Sequence, residues 1–526
     1  MRSRYGMGWL LLAWLALAAA PAQAEVYRRG EPGEPETLDP QKTQSVVEAD
    51  IVYDLFEGLL TYDADGRLAP GVATGWTVSD DGLTYDFELR EEDWSNGDPL
   101  TAEDFVFSFR RLIDPATAAP YASLFYPVKN AREVNGGRAA PESLGVRALG
   151  PHRLEIALER PTPYFLGLLA HQTAVPLHRA SLEKYGAAFT RPGQLVGNGA
   201  YVLTGYRPGD KLTLERNPHF HAAADVAIAR EDILPLEDRA AAVRRFEAQE
   251  IESYADAPSD QIGYLKQKFA QELHLSASLG TYYYAFNTRK PPFDDIRVRR
   301  ALSMTIDREF LADTIWGGSM LPAYGLTPPG LPGAETVKSD FADLAPIDAE
   351  EEAKRLLKAA GYGPGGKTLN VEIRYNTSEN HQTTAIAVAD MWRPLNVVVS
   401  FVNADAKTHF AFMREHGDFD VARAGWLADY PDPQNFLALA QSGNEALNYS
   451  RWSNPAYDAL LSKAEGERDV KARMHDLAEA EAILLQEQPI APLMVLESKN
   501  LVSSQVRGWR ANLLDRHLTR YLSLAP

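Results

Sequence analysis

Cysteine is absent from the chain. That removes disulfide scaffolds, thiol nucleophiles and cysteine-ligated metals together, and a chain of several hundred residues builds its core without cross-links. The local patterns of common hydrolases are missing as well: there is no Gly-x-Ser-x-Gly elbow and no His-Glu-x-x-His pair. The 11 histidines are scattered; His219 and His221 form the one close pair, and their spacing in a Pro/Asn-rich loop is a poor metal signal. Gly361 to Gly366 follows a helical pattern rather than a strand, so it reads as a helix stop and not as a phosphate cradle. Basic charge is scarce, with 53 Lys and Arg against 72 Asp and Glu and a formal net charge of −19, which argues against nucleic-acid binding. These absences point away from an enzyme and predict no catalytic residue, cofactor or resident metal.

Long apolar runs are missing too, except at the start. Arg2 and Arg4 precede an apolar stretch from Trp9 to Ala20, followed by Ala22-Gln23-Ala24. This is the order of a secretory signal peptide, predicted to span residues 1–24 and to be cut after Ala24. The stretch falls short of the roughly 20 residues that cross a bilayer. With no cysteine to carry a lipid near the cut, the reading is an exported protein free in a periplasm.

The remainder reads as alternating strands and helices of an α/β protein. Val47, Ile51, Leu55 and Leu59 fall at helical spacing, and Leu60–Tyr62, Asp65-Gly66 and Leu68–Pro70 read as a hairpin. Thr101 opens a helix, Asp238–Gln249 is a helix turning Ala241, Val243 and Phe246 inward, and Asp294 begins another. Tyr282–Asn287 reads as a strand, and Asp348 as the cap of a helix that stops at Gly361. From 370 to 426, strands alternate with helices as in a parallel α/β unit.

The run Asp418–Pro433, DFDVARAGWLADYPDP, is the most informative. Its first half alternates as a strand and its second half breaks at Pro431 and Pro433. Arg423 and Asp429 lie at most roughly 20 Å apart if extended. They form either a structural salt bridge or two grips for the ends of a short zwitterion. Gly425 between them leaves room for a ligand backbone to approach.

Leu55-Phe56-Glu57-Gly58-Leu59, Leu68 to Ala73, Trp94-Ser95-Asn96-Gly97, Thr101 to Phe105, Asn198-Gly199-Ala200-Tyr201, Pro291 to Asp295, Ala323-Tyr324-Gly325 and Tyr449-Ser450 occur in order along the chain. Together they resemble bacterial extracellular solute-binding family 5, its oligopeptide-binding branch most of all. The resemblance implies a two-lobed periplasmic-binding-protein clamshell of type II, in the large three-domain variant. Domain I would comprise residues 25–56, 181–279 and 498–526, domain II residues 57–180, and domain III residues 280–497, hinged near 278–284 and 494–500. It implies a receptor for short peptides that delivers them to the permease subunits of an ABC transporter, working as a monomer. Asp429 would pair with the peptide ammonium, and Arg423 or His381 with its carboxylate. The strands around Gly425, Trp426 and Leu427, and from Gly280 to Tyr283, would bond the peptide backbone. Tyr121, Tyr283 and Trp426 would line side-chain pockets. Trp316 replaces a lysine of some members and Gln44 a glutamate, which changes the charge offered to a ligand. Receptors for dipeptides, murein peptides or a non-peptide solute share the fold.

Overall fold

The computed structural model describes residues 26–525; the signal-peptide reading lies outside them. No helix among the described residues is long and apolar enough to cross a membrane. One sheet of eleven strands runs through the molecule. In chain order its strands are β1 (Val26–Glu31), β2 (Tyr201–Arg207), β3 (Lys211–Arg216), β4 (Arg230–Pro235), β5 (Ser253–Tyr254), β6 (Leu273–Phe286), β7 (Met320–Pro322), β8 (Leu369–Asn376), β9 (Val397–Ala404), β10 (Val421–Leu427) and β11 (Ile490–Val502). Across the sheet the order is β9-β8-β10-β6-β11-β5-β1-β4-β3-β2, with β7 beside β11.

The two long strands β6 and β11 join the halves of this sheet. They pair antiparallel from Leu273↔Leu501 to Ala285↔Ile490, and the register slips between Ala277 and Thr281. A bulge of that kind bends and twists a strand pair locally. On one side of it, β1, β4 and β5 are parallel. On the other, β8 and β9 pair in parallel along their full length, crossing over through the Glu379–Trp392 helix. Two buried clusters flank this second half: Tyr282, Tyr284, Ile373 and Trp392 lie on one face, and Tyr283, Ala424, Phe419 and Leu477 on the other. A further core joins residues between Leu38 and Ile233 together with Tyr430 and Leu518, and includes residues of the antiparallel strands Ala73–Val78, Thr84–Leu89, Val146–Gly150 and Arg153–Ala157.

Several sequence motifs are locks within this frame. Asn198 accepts the Glu57 N–H at 3.0 Å through Oδ1 and donates to the Glu57 carbonyl at 2.9 Å through Nδ2, so its amide stands in for a strand neighbour. Gly199 must lack a side chain, because a Cβ there would sit 2.4 Å from the Leu55 carbonyl carbon. Thr101 and Asp104 form a capping box on the Ala102–Ile113 helix.

Helix boundaries differ from the sequence reading in physically simple ways. The helix assigned to an Asp348 cap begins at Pro346, whose missing N–H suits the first helical position, and Asp348 lies in its first turn. Asp295, not Asp294, caps the next helix upstream. Ala242 rather than Ala241 faces the core of the Arg239–Glu247 helix. The first helix ends at Leu55, so Leu59 is buried outside it.

Candidate functional site

A cavity of about 550 Å³ opens between the two halves of the sheet. Tyr53, Tyr121 and His171 line one side, and Leu427, Ala428 and Asp429, at the end of β10, line another. The Asp429 carboxyl is largely shielded from water, and burial pushes its pKa up to about 6. Asn435 is its polar neighbour, and no cation pairs with it among the described residues. Tyr121, packed edge-on against His171 at 4.9 Å, feels the Asp429 charge, which together with burial raises the phenol's pKa.

At the other end of β10, Arg423 also has no carboxylate. Its Nη1 donates to Asn376 Oδ1 at 3.1 Å, its guanidinium carbon stands 4.7 Å from the Tyr282 ring centroid, and its buried Nε has no partner. The alternative of an Arg423–Asp429 salt bridge is therefore not the arrangement found; each charge is left uncompensated. His381 projects from the first turn of the Glu379–Trp392 helix and is 8 % exposed. Its Nδ1 lies 3.4 Å from the Tyr282 hydroxyl, and burial with the Arg423 charge lowers its pKa to about 3, so the ring is neutral. Trp316 closes this group, 5.7 Å from Tyr282 and 6.1 Å from His381 between ring centroids, with its indole N–H on Thr384.

Between these ends, β10 has an open edge. It pairs with β6 along its full length, but with β8 only at Ile373↔Val421 and Arg374↔Ala422. The Ala428 N–H bonds the Leu279 carbonyl and the Asn287 N–H bonds the Asp420 carbonyl, which fixes the alternation of the ladder. Residues 422, 424 and 426 point their backbone groups at β6, and residues 423, 425 and 427 point theirs away. His409 takes the Arg423 carbonyl at 2.9 Å. The free groups that follow belong to Gly425 and Leu427, facing the space that β8 vacates.

A half-buried anion, a half-buried cation and an unpaired strand edge between them make a site for an extended segment with unlike charges at its ends. Residues 67–448 match the model for bacterial extracellular solute-binding proteins, family 5. The chain belongs to this family. Its members are transport receptors, not enzymes, and its fold is the two-lobed type II clamshell. The periplasmic murein peptide-binding protein MppA of Escherichia coli is 40% identical over 91% of this chain and 89% of its own. The structure is similar to the unliganded open form of MppA, with a TM-score of 0.87 at 39% identity, covering 96% of this chain and 98% of that one. Similarity to the Haemophilus influenzae OppA complex with RPPGFSPFR is lower, at a TM-score of 0.76 and 34% identity over 96% and 99% of the two chains.

Within this family member, three residues expected at the site lie elsewhere. Tyr283 is 1% exposed in the core against Leu279 and Phe419, because the face of β6 that carries it is covered by a packed cluster that includes Leu477 and Leu484. Gly280 is buried at the bulge, where a Cβ would meet Leu496 at 2.8 Å; its role is close packing of the two long strands. Trp426 is half-buried on the same face as Tyr283, its indole N–H held by Asn435 Oδ1 at 2.6 Å, and it lies outside the cavity. The space beside Gly425 is tighter than expected. The room beside it is filled by the Arg423 guanidinium, whose Nη2 would be 3.2 Å from an added Cβ. Asn376, Tyr282 and Asn435, which orient the charged groups, were not singled out by sequence. Asn376 and Tyr282 lie far from Arg423 in the chain and meet it only in the fold, so the sequence carried no signal for them.

His219 and His221 do not share a ligand position. His221 bonds Glu57 at 2.9 Å, near Glu92, while His219 lies by Gly97. Arg520 is already ion-paired with Glu57, so the carboxylate-histidine cluster is neutralised by protein charge.

Proposed function

We propose that this chain is the substrate-binding component of an ABC importer, capturing short peptides in extended form in the periplasm and delivering them to inner-membrane permease subunits. The observation that carries the reading is the pairing of an uncompensated Asp429 with an uncompensated Arg423 at opposite ends of an open strand edge. A bound peptide would run antiparallel to β10, its ammonium on Asp429, its carboxylate on Arg423 and its backbone on Gly425 and Leu427. His381 is neutral and hydrogen-bonds a longer or shorter peptide rather than pairing with it as a cation. Trp316 adds an apolar wall where a lysine would add charge.

The lobes divide at β6 and β11: residues 25–56, 181–279 and 498–526 with the insertion 57–180 on one side, residues 280–497 on the other. Residues 1–24 direct export and are removed after Ala24, and the mature protein acts as a monomer. Similarity to MppA supports a second reading within the same class, in which the peptide is derived from murein. Calorimetry with trialanine and N-acetyl-trialanine tests the shared mechanism: trialanine binds, and acetylation removes most of the affinity. Equal affinities would overturn the ammonium assignment. Mass spectrometry of ligand released from the purified protein distinguishes nutrient from murein peptides.

A further inference from the structure

Arg374 is the described residue whose surroundings least explain its charge. It sits in β8, just where that strand parts from β10, paired in register with Ala422. It is 8% exposed, yet its guanidinium makes no hydrogen bond and no ion pair among the described residues, and its Nε is buried without a partner. Its one close companion is the Phe412 ring, 4.0 Å from the guanidinium carbon to the centroid. Burial lowers its pKa, although Glu372 partly opposes this. The Nη atoms are not among the buried unpartnered atoms, so the guanidinium tip is open to a partner from outside while its Nε lacks one. Stacking on a phenyl ring returns only part of the cost of desolvating the charge.

Its position relative to Arg423 is informative. Arg423 pairs in register with Tyr284 and lies on the sheet face that carries Tyr282 and His381. Arg374 pairs with Ala422 and lies on the opposite face, against the Ala406–Arg414 helix that carries Phe412 and His409. His409 is buried between the two arginines, and both charges, with burial, hold its pKa down near 4, so it is neutral. An extended ligand added to the open edge of β10 would present successive side chains to these two faces in turn. A group next to the one held by Arg423 would therefore be presented to Arg374.

We propose that Arg374 is a second anion-recognising residue that selects ligands bearing a carboxylate side chain at or next to their C-terminal residue. This rests on the peptide-receptor reading and names the substrate class within it. The guanidinium, held over the Phe412 ring, can offer its nitrogens to a carboxylate through two parallel hydrogen bonds.

The test is calorimetry of the wild-type protein with trialanine and with versions carrying Glu or Gln at the last or the penultimate position. At one of these positions Glu binds about tenfold tighter than Gln, a difference expected of a charge-assisted bidentate pair. Arg374→Leu brings the Glu/Gln ratio close to one, and Arg374→Lys retains part of it. A merely structural arginine would change all affinities together and leave the ratio intact. Glu and Gln binding alike to the wild-type protein at both positions would overturn the proposal while trialanine binding still upheld the receptor reading. Failure of trialanine itself to bind would overturn both.

Discussion

Asp429 carries the sharpest consequence of the site's electrostatics. Its carboxyl is raised from 3.8 to about 6 by burial, so the free protein holds a proton there more tightly than the unfolded chain does. Native stability from this group consequently falls as pH rises from 3.8 to about 6, and a ligand ammonium relieves the penalty by supplying the missing charge. Binding an ammonium requires the ionised form. Trialanine affinity should be highest near pH 7, fall above about pH 8 as the peptide's own α-amino group deprotonates, and drop by about tenfold at pH 5, where roughly one site in ten is ionised. His381 does not confuse the measurement, since with a pKa near 3 it stays neutral across this window. Asp429→Asn should cost about 2 kcal/mol or more of affinity at pH 7 and flatten the profile. An unchanged pH dependence in the variant would place the titrating group elsewhere. Arg423 and Asp429 are conspicuous in sequence as opposite charges among small residues, while the roles expected of them rest on the family resemblance. Their surroundings could not be read from sequence, since burial and missing partners are properties of the folded chain.

At the level of elements, β10 and its neighbours depend on positions that tolerate no side chain. Gly425→Ala places a methyl 3.1 Å from the Thr281 carbonyl oxygen and 3.2 Å from the Arg423 guanidinium. The backbone oxygen cannot yield, whereas the arginine tip can, so the expected outcome is a displaced Arg423. Peptide affinity should fall several-fold while the melting temperature changes little, as calorimetry and thermal denaturation on one preparation would establish. Gly199→Ala is predicted to behave in the opposite way. Its Cβ would enter the Asp54–Phe56 backbone, with contacts of 2.4 to 2.5 Å, and overpacking of this kind costs typically 1–3 kcal/mol or more of stability, roughly. A thermal scan showing wild-type stability would refute the lock assigned to the Asn198-Gly199 turn. These contrasts explain what was legible in the chain. The hairpin strands Leu60–Tyr62 and Leu68–Pro70, bounded by an Asp-Gly turn, match the sequence reading to the residue. Only the C-terminal part of β6 was recognised, because Leu273–Ala277 is half-exposed and its pattern carries no clear face. Tyr283 was misplaced because aromatic residues on a fully covered strand look the same in sequence as those lining a pocket. Arg374 was passed over because a single arginine in an apolar strand reads as ordinary until its partner is seen to be missing.

For the whole molecule, the two halves of the sheet meet at a bulged strand pair, and the cavity spans that meeting point. The C-terminal segment lies along the same junction: the Leu279 N–H bonds the Leu513 carbonyl, Trp509 stacks between His274 and His517 at 4.3 and 4.4 Å, and Asn500 bonds Asp515 at 2.7 Å. The halves also touch away from this junction, where Tyr430 packs into the core of the first half and stacks on Tyr164 at 4.6 Å. A ligand touching Asp429 and Arg423 on one half and Tyr121 on the other makes its full set of contacts only when the halves approach, so closure and binding are one equilibrium. Small-angle scattering should register a contraction on adding trialanine and none with N-acetyl-trialanine. The same ligand at a hundredfold excess over its dissociation constant should add about 2.7 kcal/mol to the folding free energy, whatever the mechanism of closure. Stabilisation without contraction would mean that the peptide is held by one half alone, and that the uncompensated charges on β10 suffice to bind it in the open form.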